Sequence, residues 1–311
     1  MAKKRAKPST SDIVVPKRKC GTMAIYYGML EDDPTFRSSQ VQLEHACVAR
    51  LRSADAIRTE PYKKIQVVAH VVYRTPEEKI STTQIKSQLA VLNKDYRAKN
   101  SDKSKMPGVW SGLVGDALIE FELATKAPDG TDSSGINWVK TDRTSFDADE
   151  SMKSSATGGA DPWPREKYLN IWICRLGGGL LGYAQFPGGP KATDGVVILN
   201  SAFGTTGTAA APFNLGRTCT HEIGHFLNLR HIWGDTPDCS GSDLVADTPN
   251  AEDANYGKPV FPKISCQNGP NGDMFMNYMD YVDDDSMFMF TPGQIARMHT
   301  TLDGPRNSLV T

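Results

Sequence analysis

Long hydrophobic runs are missing from this chain of 311 residues. No stretch approaches the ~18 apolar residues that a bilayer-spanning helix needs, so a transmembrane reading is excluded. No apolar segment follows the basic opening MAKKRAKPSTSD either, and a secretion signal is not recognisable. Internal repeats and low-complexity tracts are also lacking. Net charge is nearly absent: 35 Lys+Arg against 36 Asp+Glu leave −1, which on its face excludes a polyanion or a nucleic-acid binder. The average conceals two poles. Residues 1–58 hold 11 Lys/Arg against 6 Asp/Glu, whereas residues 235–285 hold 11 Asp/Glu against 2 Lys. Asymmetry of this kind marks segments that dock or bind. Cysteine is sparse: Cys20, Cys47, Cys174, Cys219, Cys239 and Cys266 are too few for a disulfide scaffold.

What is present is an ordinary globular composition, 39% hydrophobic and 23% charged. The first sixty residues are poorly patterned. From Ile65 to Tyr73 (IQVVAHVVY) the chain turns almost continuously apolar, as a buried strand does. A helix is expected over Thr82–Arg97, capped by Ser81, with Ile85, Leu89, Leu92 and Tyr96 on one face. Ala117–Thr125 alternates like a half-exposed strand, and Tyr168–Cys174 and Gly195–Asn200 supply two more. A second helix covers roughly Leu215–Leu227. Residues 234–273 are rich in Asp, Gly, Asn and Pro and irregular, and so long a segment is usually functional or cross-linked. A last helix starts at Thr291–Pro292 and runs to about Leu302. The pattern is α/β (α+β), with a loop-rich second lobe.

Three of the six histidines fall within eleven residues, HEIGHFLNLRH from His221 to His231. Positions i and i+4 of a helix face the same way, so His221 and His225 form a chelate and Glu222 stands beside it. Burying three imidazoles among Ile223, Phe226, Leu227 and Leu229 without a metal would incur a desolvation cost. The metal reading wins. The spacing resembles the metzincin zinc-peptidase signature HExxHxxGxxH, with Asn228 where the glycine stands. Asn tolerates the left-handed backbone that the turn needs, so a positive φ is expected there. NYMDY at Asn277–Tyr281 resembles the methionine turn of that clan. Together with FTPGQIARM (Phe290–Met298) and LGYAQFPGG (Leu181–Gly189), the chain resembles the pappalysin family of metzincins over residues 65–303.

The resemblance implies a metzincin catalytic domain over residues 59–311, preceded by a prosegment over residues 1–58. An upper subdomain to about residue 231 would carry a twisted mixed sheet and the active-site helix, and residues 232–311 would form an irregular lower subdomain ending in a helix. It implies a zinc endopeptidase made as a zymogen. His221, His225 and His231 would be the ligands, Glu222 the general base, and Tyr281 a support for the oxyanion over the turn at Met279. Asp235 or Glu252 is the alternative third ligand. Cys20, in KRKCGT, would be a fourth ligand in the latent form, its thiol made more acidic by the flanking cations. The strand through Gly182, Tyr183 and Ala184 would take the substrate as an added strand.

Asp284 would floor the pocket for Arg or Lys just after the scissile bond. Related loops bind calcium, which points to Asp243, Val245 (carbonyl), Asp247 and Thr248, with Asx turns as the plain alternative. A Cys239–Cys266 disulfide is implied too, worth about 3–4 kcal/mol by loop entropy, and with it a secreted, oxidising setting. Cys174 and Cys219 are expected to be buried free thiols, and the state of Cys47 is left open. Activation would cut at Arg50, Arg52 or Arg58. The expected partners are basic peptide or protein substrates and the chain's own prosegment, on a monomer with no nucleic acid and no membrane. A non-catalytic reading, with structural zinc and a polyanion-binding N-terminus, is the distant alternative.

Overall fold

A computed structural model describes residues 16–53 and 56–310; the basic opening at residues 1–12 lies outside them. Ile65–Tyr73 forms β1, the central strand of a mixed sheet completed by β2 (Phe121–Leu123), β3 (Ile136–Lys140), β4 (Leu169–Cys174), β5 (Gly182–Ala184) and β6 (Val196–Leu199). The order is β2-β1-β4-β6-β5, with β3 continuing beyond β2 along the same side of β1. All neighbours are parallel except β5, which runs antiparallel to β6 with Tyr183 opposite Val197. Parallel strands covered on both faces read as unbroken apolar runs, which explains the sequences of β1 and β4. On one face lie α3 (Thr82–Asp95), capped by Ser81, and α4 (Arg217–Phe226). Ile85, Leu89 and Leu92 meet Val67, Val71, Ile171, Ile198 and Ile223 in one core. Full burial of each such side chain contributes roughly 1.5–3 kcal/mol. The sheet therefore fixes α4 beside the edge strand β5.

The expected strand at Ala117–Thr125 shrinks to three residues. Leu118 takes φ +57°, a left-handed value that interrupts an extended run, so pairing with β1 begins only at Phe121. A second difference is larger: the unpatterned start contains two helices, α1 (Thr22–Asp32) and α2 (Pro34–Leu51), with Asp33 capping α2 through the N–H groups of Thr35 and Phe36. The buried stripe of α2 is Phe36, Gln40, Leu43 and Cys47. A polar residue within that stripe hides its helical period. Helix α2 lies against α5 (Pro292–Asp303), and Arg297, almost fully buried, makes a two-pronged ion pair with Glu44.

After α4 the chain is largely irregular. A disulfide joins Cys239 to Cys266, and β7 (Tyr256–Gly257) pairs with β8 (Tyr281–Val282). Helix α5 opens with a capping box between Thr291 and Gln294. The Gln294 side chain also exchanges two hydrogen bonds with Asn277, and Asn277 in turn accepts from the Met279 N–H. The last helix thereby supports the turn beneath the site. Cys47, Cys174 and Cys219 are buried free thiols. Among the described residues, no helix is long and apolar enough to cross a membrane.

Candidate metal centre and active site

Helix α4 presents His221 and His225 from one face, both fully buried. Between them sits Gly224, where a Cβ would lie 2.5 Å from the sulfur of Met279. Only glycine lets the turn at Met279 close under the helix. The helix stops at Phe226 and the chain reverses at Asn228, whose φ of +73° is the left-handed value expected in place of a glycine. That reversal brings His231 back, and the three Nε2 atoms lie 3.0–3.2 Å apart.

Their partners determine the tautomers. His221 Nδ1 donates to the Tyr278 carbonyl and His225 Nδ1 to the Leu229 carbonyl, each at 2.7 Å; His231 Nδ1 donates to the Asp235 carboxylate at 2.6 Å. Those oxygens only accept, so the Nδ1 atoms carry the protons and three Nε2 lone pairs face one another. Burial and the neighbouring imidazoles hold His221 and His225 well below their ordinary pKa, against protonation. Lone pairs converging in a dry site need a cation between them. Three nitrogens bonded to zinc at ~2.0–2.1 Å would sit roughly 3.3–3.4 Å apart, close to the spacing observed. The residues fit a zinc ion.

Cys20 completes the cluster. Its sulfur and the three histidine ligand atoms all lie within 4.8 Å of one another. The thiol is not made more acidic by its flanking cations, contrary to the expectation from KRKCGT. Burial and the Glu222 carboxylate raise it well above its ordinary value, while Arg18 turns to Asp284 and Lys19 to the Gly178 carbonyl. Hydrogen bonds from Thr22 oppose those effects, and a bound cation would oppose them further. Glu222, 1% exposed, accepts from Thr22 Oγ1 at 2.9 Å and from Cys20 Sγ at 3.3 Å. Burial pushes its carboxyl up to about 7, opposed by those two hydrogen bonds and the Arg18 charge.

The segment carrying Cys20 lies along β5 as a parallel strand. Leu181 N–H donates to the Lys19 carbonyl and Gly21 N–H to the Gly182 carbonyl, both at 2.9 Å. Gly182 must be glycine, because a Cβ there would stand 2.8 Å from the Val197 carbonyl and 3.0 Å from Glu222 Cγ. The Ala184 N–H donates to Thr22 Oγ1, whereas Tyr183 turns away and donates its hydroxyl to Met152.

One residue pair lies beside this strand. Asp284, wholly buried, holds Arg18 at 2.6 Å through Oδ1, while Oδ2 accepts from the N–H groups of Leu215 and Arg217 at the start of α4. The guanidinium also donates to Thr218 Oγ1 and to the Val282 carbonyl, and its plane lies over Phe213.

Tyr281 packs edge-on to His231 and against Trp233. Asp235 is a hydrogen-bond partner of His231 and not one of the clustered ligands, and Glu252 is exposed outside the cluster. In the acidic loop, Asp243 accepts from the Val245 N–H and from Thr248 Oγ1, which also donates to the Val245 carbonyl. Asp247 is engaged differently, accepting from Thr291 Oγ1 and the Gly293 N–H at the start of α5. Sequence reasoning did not single out Arg18, Thr22, Thr218 or Trp233. The run KRKCGT was the only local signal for the first two.

Residues 153–303 match the family model of peptidase M43, described as pregnancy-associated plasma protein-A. The chain is similar to mature mirolysin of Tannerella forsythia in complex with a cleaved peptide: 46% identity, TM-score 0.79, over 81% of this chain and 96% of that one. It is also similar to a promirolysin mutant of the same organism, at 41% identity and TM-score 0.87, over 94% of this chain and 97% of that one. An extracellular metalloprotease of Pyricularia oryzae is 38% identical over 198 residues, 60% of this chain and 68% of the relative. The family implies zinc, which the histidine cluster fits. With its mixed α/β fold and its HEIGHFLNLRH motif, the chain belongs to the pappalysin family and is a metalloendopeptidase.

Proposed function

We propose that the chain is the zymogen of a secreted zinc endopeptidase that cuts before basic residues, residues 1–58 being the inhibitory prosegment and residues 59–311 the catalytic domain. The observation that carries this reading is that Cys20 and Arg18 fill the metal cluster and the Asp284 pocket together. When bound, zinc supplies a Lewis acid that polarises the peptide carbonyl and makes water acidic enough to act near neutral pH. His221, His225 and His231 hold it. Glu222 accepts the proton of the attacking water at its carboxylate and returns it to the leaving amine. Tyr281 would support the oxyanion, and Met279 packs against α4 at Gly224, between the two helical histidines. The edge formed by Gly182, Tyr183 and Ala184 binds the substrate backbone.

The pocket occupied by Arg18 would select the residue after the cut. Asp284, Thr218, the Val282 carbonyl and the Phe213 face match a planar guanidinium better than a point-charged ammonium. Arg is therefore favoured over Lys. Removing residues 1–58 takes the formal charge of the chain from −1 to −6 and leaves the acidic lobe to meet basic substrates. A peptide library cut by the mature enzyme tests this: enrichment of Arg, then Lys, just after the scissile bond is expected, and no enrichment rejects the pocket assignment. Names of relatives as extracellular proteases and the Cys239–Cys266 bridge support secretion.

A calcium ion bound by Asp243, the Val245 carbonyl and Thr248, near Asp247, would stabilise the acidic loop. Burial pushes the Asp243 carboxyl up to about 7, so below that pH the fold favours its neutral form. Without calcium, stability is lost as pH rises from the ordinary carboxyl range through about 7; calcium needs the carboxylate and reverses that loss. The calcium-induced rise in melting temperature should be larger at pH 8 than at pH 6. An equal rise at both, or none, would remove Asp243 from the site.

A further inference from the structure

The three histidines are not held alike. His221 and His225 stand on α4 and donate to neutral backbone carbonyls, so the helix and the main chain set their ring planes. His231 stands on the loop beyond Asn228, where no helix orients it, and it alone donates to a carboxylate. The backbone is bent to put that carboxylate there: Gly234 and Asp235 take consecutive left-handed φ values of +68° and +58°. A non-glycine residue in that region is held at a cost, and such strain gathers at functional sites. The second oxygen of Asp235 is buried without a hydrogen-bond partner, an expense that a purely structural link would avoid with a neutral acceptor. The ring of Trp233 lies flat against His231, centroids 4.4 Å apart and planes 6° apart, so the imidazole is gripped at its edge and on its face.

From this we propose that Asp235 is the positioning residue of the third ligand. Its negative charge, passed through the His231 ring, both orients the imidazole and makes it a stronger zinc donor than either helical histidine. The inference rests on the zinc reading above and goes further in giving the three ligands unequal strength. Losing a carboxylate behind a ligating histidine typically weakens metal binding by about 10–100-fold.

The test uses the full-length chain with Glu222→Ala, which prevents self-cleavage. Zinc affinity is measured by competition with a chromophoric chelator, and ligand geometry by the visible spectrum of the cobalt(II) form. Asp235→Asn keeps the shape and an accepting oxygen but removes the charge; Asp235→Ala removes both. The expected result is a zinc Kd raised about 10–100-fold in Asp235→Asn, at least as far in Asp235→Ala, with shifted cobalt bands and an unchanged melting temperature of the metal-free protein. A Kd within twofold of the parent overturns the proposal and leaves the zinc site standing. Collapse of the metal-free fold in both variants assigns Asp235 a structural role and overturns it too. A parent whose zinc binding is indifferent to His231→Ala would overturn the zinc reading itself, and this inference with it.

Discussion

Glu222→Ala is expected to lower kcat/KM by about 10²–10⁴-fold with zinc content unchanged. The side chain is buried against the edge strand at Gly182 and beside the metal cluster, without being one of the clustered ligands. With the Cys20 segment in place, burial lifts the carboxyl to about 7; the proposed role asks for a group with proton affinity near the working pH. The opposing influences come from Thr22, Cys20 and Arg18, all from the segment laid over β5. Glu222→Gln keeps the packing and the hydrogen-bonding shape, so an equal loss in that variant isolates the base from the fold. Activity within tenfold of the parent in either variant would remove Glu222 from the chemistry.

Cys20→Ala is expected to end latency, with self-conversion of the full-length protein faster by roughly tenfold or more, the equivalent of at least about 1.4 kcal/mol. The thiol is buried and faces the Glu222 carboxylate, and both raise its pKa. A zinc ion reverses that preference, because a coordinated thiol gives up its proton. Much of the segment's hold would then depend on the metal–sulfur contact. The other contacts include the backbone pairing to β5, the Arg18–Asp284 ion pair, the Thr22–Glu222 hydrogen bond and the Glu44–Arg297 pair under α2. If these suffice alone, Cys20→Ala will stay latent and the switch assignment fails. Measuring Cys20→Ala beside Arg18→Ala separates the two anchors.

Local codes carried most of what the sequence made legible. The HEIGH spacing is a property of one helix, and Asn228 in place of glycine could be judged from backbone tolerance alone. Both concern residues within a dozen positions of each other. The apolar runs of β1 and β4 were equally plain, because a central parallel strand is buried on both faces. What stayed hidden was long-range or compensated. Arg18 meets Asp284 across 266 residues, and Glu44 meets Arg297 across 253; no pattern in a single chain announces such pairs. Gln40 inside the buried stripe of α2 masked a helix, and the left-handed Leu118 cut short a strand whose alternation looked complete. The KRKCGT run misled on one point. Charges adjacent in sequence suggest a more acidic thiol, but the side chains of Arg18 and Lys19 engage Asp284 and the Gly178 carbonyl instead.

The central claim is that one chain contains both a basic-directed metalloendopeptidase and the segment that restrains it. Incubating the purified full-length protein with zinc and sequencing any new N-terminus tests this most directly, with Glu222→Ala and a zinc chelator as parallel arms. Arg50 is tied to Asp303 and to the Ala56 carbonyl, and Arg58 also pairs with Asp303, so the stretch just after α2 is fastened to the end of α5. The expected result is a new N-terminus at Arg50, Arg52 or Arg58, with proteolytic activity appearing alongside it and neither appearing in the two parallel arms. Cleavage that persists in Glu222→Ala or with the chelator, or activity that appears with the N-terminus intact, would contradict the account.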